Sequence, residues 1–91
     1  MRQTITGVGA VRYGMVFEEL AVEVMAELPS DQARREVLAL VERVRAAPWA
    51  WPDVRDPGSV EEIREAFGAH CWLQYTPHAG AIEVREIGWA G

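Results

Sequence analysis

The side chains of this chain that could move a proton or hold a phosphate are few, and most fall in its last third. His70 and His78 are the two histidines, the side-chain type that exchanges a proton near neutral pH. Arg64 and Arg85 lie in segments that read as strands. On one sheet face the two guanidinium groups would hold a phosphate, whereas a solvated strand face would pair Arg64 with Glu62 or Glu86. Trp72, Tyr75 and Trp89 offer rings that would stack on nucleobases, fill a core or cover a partner. Cys71 is the single cysteine, so no internal disulfide forms, and beside Trp72 it reads as a small core residue. Two histidines with no carboxylate at a ligand spacing predict no metal site, and Gly7-Val8-Gly9 is too short for a phosphate loop. No cofactor is expected.

The overall charge bears on the same chemistry. Asp and Glu number 14 against 9 basic residues, a net charge of −5. Every basic residue is arginine. Non-specific nucleic-acid affinity comes from neutralising phosphates, so an acidic chain favours a protein partner over RNA or DNA. With 91 residues, 49% of them hydrophobic, the chain is expected to form one domain, 1–91. No apolar run approaches the roughly 20 residues that cross a bilayer, so no membrane contact is expected. The first seven residues hold no apolar stretch of the kind an export signal carries, and a cytoplasmic location is expected.

The elements that must position these residues follow from periodicity. Val11, Tyr13, Met15 and Phe17 alternate, which predicts a strand, and Val16 implies some cover on its other face. From Glu18 the period changes. Leu20, Val24 and Leu28, with Ala21 and Met25, form the apolar stripe of a helix that Pro29 ends. Ser30 offers a cap to a second helix, with Val37, Leu38, Leu40, Val41 and Val44 on its apolar side. The short connection between them predicts an antiparallel helical hairpin. Residues 48–59 hold three prolines and a glycine and read as a loop, with Trp49 and Trp51 folded over one end of the core. Three strands follow: Val60–Phe67, His70–Thr76 and Ala81–Trp89. In the last, apolar residues switch from even (Ile82, Val84) to odd positions (Ile87, Trp89), which predicts a bulge near Arg85-Glu86. The expected fold is α+β: a four-stranded antiparallel sheet packed on an N-terminal helical hairpin, in the order β-α-α-β-β-β.

This order and several spacings resemble the RelE/ParE superfamily of toxins. The resemblance is carried by Tyr13-x-Met15-x-Phe17, then Ala21, Met25 and Leu28-Pro29, then the arginine-rich second helix from Arg34 to Pro48. Ile63-Arg64-x-x-Phe67-Gly68, Leu73-x-Tyr75 and Ile82-x-Val84-x-x-Ile87 complete it. It spans roughly Val11 to Trp89. It implies a toxin of a type II toxin–antitoxin pair that inhibits translation or replication, with a cognate antitoxin as partner: in the nuclease branch by metal-free cleavage of messenger RNA on the ribosome, in the other by inhibition of DNA gyrase without nuclease activity. Arg64 would then stabilise the phosphorane, with Arg85 and His70 as further catalytic candidates and Trp72, Tyr75 and Trp89 as binding residues. Trp72 stands where the resemblance places an arginine. Trp89 stands near the position that supplies a histidine or tyrosine. The alternative is a protein-binding module on the same fold without the nuclease residues.

Overall fold

A computed structural model describes residues 12–91. The elements run β1 (Gly14–Phe17), α1 (Glu19–Glu27), α2 (Asp31–Ala46), β2 (Arg64–Phe67), β3 (Cys71–His78) and β4 (Ala81–Trp89). This is the expected order, with two strands shorter than anticipated. Val11 lies outside the described residues. Val60–Ile63 belongs to the preceding loop, where Val60 is 98% exposed.

The four strands form one sheet in the order β1-β4-β3-β2. The β2–β3 and β3–β4 pairs are antiparallel, but β1 lies parallel to β4. The sheet is therefore mixed, a correction to the antiparallel expectation. The cause is the connection. Two helices and a loop carry the chain from one sheet edge to the other before β2 begins, and long crossovers of this kind return a strand in its original direction. Two hairpins then leave β4 running alongside β1.

Both helices cover one face. That face buries Leu73, Tyr75, Ile82 and Val84 against Val37, Leu40, Val41 and Val44. Helix α2 meets its expectation closely. Ser30 accepts a hydrogen bond from Ala33 N at 3.1 Å, and of the anticipated apolar residues only Leu38 stays 40% exposed. The corner between the helices is closed by Arg34, which donates to the carbonyls of Met25, Ala26 and Leu28 at 2.9–3.1 Å. These are the acceptors that the end of a helix leaves open. In α1 the buried contact comes from Ala21 and, in part, Val24 and Met25, while Leu20 points out at 69% exposure.

The bulge falls where the parity switch places it. Tyr75 pairs with Val84 and Gln74 with Glu86, leaving Arg85 as the extra residue. Trp51 packs against the core and lies under the guanidinium of Arg43 at 5.4 Å. Trp49 stays half outside, edge-on to Tyr13.

Candidate functional site

Opposed residues in a sheet share a face, so the register sorts the candidate residues. Arg64 pairs with Tyr75 on the helix-covered side. Arg85 reaches the hydroxyl of Thr76, whose register puts it on the other side. The two arginines thus sit on opposite faces, which corrects the expectation of a shared phosphate site.

Arg64 is held by a loop. Its guanidinium donates to the carbonyls of Trp49 and Trp51 and pairs with Glu62. Tyr75 has the same task. It is fully buried, and its hydroxyl donates to Pro48 O at 2.5 Å. A loop with three prolines presents more acceptors than donors, because proline lacks an N–H. Side chains from β2 and β3 supply the missing donors. Backbone bonds from Glu65 N to Pro52 O (3.1 Å) and from Val54 N to Ile63 O (2.7 Å) complete the seam. Burial pushes the Tyr75 hydroxyl up to about 12. No ring face of Tyr75 is left for a ligand.

The open face of the sheet carries Glu65, Phe67, Trp72, Gln74, Thr76, Glu83, Arg85 and Glu86. At one end Phe67 and Trp72 are directly opposed, with Phe67 52% exposed. The Trp72 ring lies flat on Gly88, where an added Cβ would come within 1.9 Å of it. A glycine there is what lets the ring settle on the backbone. Further along, Gln74 donates to Glu65 at 3.2 Å, and His78 meets Glu83 at 3.0 Å.

Among the strand residues, Arg85 is the one arginine on this face. It is clasped from both sides, by Glu18 at 3.2 Å and by Glu61. The bond to Glu61 raises the affinity of Arg85 for its proton. With Glu83 as a third carboxylate close by, the cation is more than compensated. An incoming phosphate would have to displace a carboxylate to reach it.

His70 and Trp89 meet at the end of the sheet, with ring centroids 5.9 Å apart. They line a cleft of about 310 Å³ with Ser30, Gln32 and Glu36 from the start of α2. His70 Nδ1 is 3.1 Å from Glu36 Oε1. Trp89 Nε1 is buried and has no hydrogen-bond partner among the described residues. Cys71 is buried close by, and desolvation, with Glu36 adding to it, pushes its thiol up, away from the reactive thiolate. Among the described residues no group of three or more metal-ligating side chains converges.

The six candidates thus fall in four places. Arg64 lies under the loop, Tyr75 in the core, Trp72 and Arg85 at separate points of the open face, and His70 with Trp89 in the end cleft. Sequence reading missed the clasp of Glu18 and Glu61. Nothing in the spacing of residues 18, 61 and 85 signals it.

No protein-family model matches the chain, and no curated protein matches it. Among solved structures, the chain is similar to a chain of the archaeal RelE–RelB complex from Pyrococcus horikoshii OT3. The TM-score is 0.63 at 14% identity, over 88% of this chain and 97% of the other. The α+β fold is therefore RelE-like. No helix among the described residues is long and apolar enough to cross a membrane.

Proposed function

We propose that this chain is a toxin-like component of a type II toxin–antitoxin pair that acts by binding protein through its open sheet face and does not cut RNA. The RelE-like fold supports the first half, since the similar chain belongs to a RelE–RelB complex. An antitoxin-like protein is the partner expected by analogy. The second half is carried by the clasp on Arg85. Cleavage through a phosphorane needs cationic groups whose charge is available to the developing anion. Here the one strand arginine on the open face is bound by Glu18 and Glu61, and Arg64 lies on the covered face beneath its loop.

In this reading Trp72, with Phe67, is the aromatic anchor of the binding face, and Trp89 shapes the end cleft with His70. Aromatic residues dominate the energetics of protein interfaces, and an acidic surround repels RNA.

Expression in bacteria is expected to arrest growth, with relief by the product of a neighbouring reading frame. Primer-extension mapping of ribosome-bound messenger RNA is expected to show no new cuts, and Trp72→Ala is expected to weaken partner binding. Absence of any growth effect at verified soluble expression overturns the toxin reading. Site-specific cleavage that disappears in Arg85→Ala overturns the non-nucleolytic half and restores the ribonuclease.

A further inference from the structure

The sheet has an edge that its own strands leave uncovered. Strand β1 stops at Phe17, opposite Val84, and the last rung on that side is Glu18 N to Val84 O at 2.9 Å. Strand β4 continues through Arg85, Glu86, Ile87 and Gly88 to Trp89, paired on its other side by β3 alone. Ala90 N donates to His70 O, toward β3. By the alternation of an extended chain, Glu86 and Gly88 also face β3, and Ile87 and Trp89 turn their N–H and C=O groups to the open side. Five residues of strand span about 17 Å, room for a short added strand.

A groove of about 280 Å³ runs beside this edge, between β4 and α1. Its apolar lining is Leu20, Val24 and Ile87. Leu20 belongs to the stripe that helical periodicity assigns to the core, yet it stands 69% exposed. The polar lining is Glu23, Glu27, Glu86 and Arg85; Arg85 is already paired with Glu18 and Glu61, whereas none of the three glutamates takes part in an ion pair among the described residues.

We infer that the open β4 edge from Arg85 to Trp89, with the groove beside α1, receives an extended basic segment of a protein partner as a fifth strand. Main-chain bonds to Ile87 and Trp89 would supply affinity, alternate apolar side chains would enter the groove, and arginine or lysine would meet the three glutamates. A second copy of this chain fits poorly, because the same three carboxylates would face one another. An RNA strand meets the same repulsion and offers no backbone amides. Exposed edges are ordinarily blunted by lysine, proline or bulges, and here the bulge at Arg85 is the only such guard along the five residues. This inference rests on the reading that the chain works through a protein partner, and it adds to the open face a second contact surface, the β4 edge, with the chemistry of the segment that would occupy it.

The test uses the full chain and two short synthetic peptides, one alternating valine with arginine and one alternating valine with glutamate. Amide exchange is read residue by residue. The arginine peptide is expected to slow exchange at Ile87 and Trp89, and the glutamate peptide is not. Leu20→Gln, at an exposed position, is expected to keep the fold by circular dichroism and, by removing an apolar contact without changing the charge, to weaken the arginine peptide about tenfold, the loss that 1.4 kcal/mol produces. Reversing the rim with Glu23→Lys and Glu27→Lys is expected to exchange the preference between the peptides. Equal effects of both peptides, no change at Ile87 and Trp89, or strong protection of those amides before any peptide is added each overturn the inference. The peptide assay reads the edge alone, whereas growth arrest and messenger cleavage read the toxin-like activity, so the two can fail separately.

Discussion

The two faces of the sheet are built on different terms. The covered face is apolar and closed: Leu73, Tyr75, Ile82 and Val84 have no exposed surface. The open face is a mosaic of Phe67, Trp72, Gln74, Thr76 and one arginine among carboxylates. The first face makes the RelE-like fold, and its demands are volume and shape. In the proposed reading the second face is the one that binds, and its demands are charge and access. The contrast shows how 14% identity can coexist with a shared fold while leaving the chemistry open. The covered face needs only apolar residues of suitable size, whereas one clasped cation changes what the open face can bind.

The largest expected effect tests that contrast directly. Leu73→Ala removes a fully buried side chain at the centre of the sheet and is expected to cost about 3 kcal/mol by denaturant unfolding. A cost near that of an open-face truncation would mean that the core tolerates loss there and would break the contrast.

Tyr75→Phe comes next. It leaves the Pro48 carbonyl without its donor in a buried setting, at an expected cost of about 1–2 kcal/mol. It also carries a pH signature. Burial raises the Tyr75 hydroxyl from 10.0 to about 12, so the folded chain holds this proton more tightly than the unfolded chain does. The resulting stability is complete below pH 10 and is lost as pH rises from 10 to 12. Unfolding measured across that window is expected to show a decline in the native chain that Tyr75→Phe lacks. An identical decline in both would place the alkaline sensitivity elsewhere.

Ser30→Ala is expected to cost about 1 kcal/mol, since it removes the acceptor for Ala33 N at the start of α2. This helix is also where sequence and structure agree best. Its cap, its apolar period and its end were all written in local chemistry. The bulge at Arg85 was legible for a related reason, because a parity change within a strand has few other causes. The direction of β1 was not legible: alternation reports which face is buried and is silent on which strand lies alongside. Leu20 misled because helical spacing gives a stripe and not its orientation. The α1 stripe turns so that Ala21, small enough for close approach, meets the sheet.

Among the candidate site residues the lesson is sharper. Tyr75 shares the parity of Cys71 and Leu73, so its burial was available from alternation. Its aromatic character kept stacking and a partner interface open beside the core. Arg64 follows a loop with three prolines, and the surplus of acceptors in such a loop was the signal for its structural task. The clasp on Arg85 joins residues 24 and 67 positions away, from the loop and from the start of α1. Only the folded sheet brings those three together.

The smallest stability effects belong to the open face, and they complete the contrast. Phe67 is half exposed, so Phe67→Ala is expected to change stability by no more than about 0.5 kcal/mol. Arg85→Gln breaks two ion pairs whose carboxylates remain partly solvated, and is expected to cost less than about 1 kcal/mol. What should change is salt dependence. Screening weakens the clasp in the native chain, so its stability margin over Arg85→Gln should shrink as salt is added. Parallel unfolding series at low and high salt measure this margin. A margin that is large and insensitive to salt would show that Arg85 supports the fold by packing across the face, and the division between a face that folds and a face that binds would then fail at its central residue.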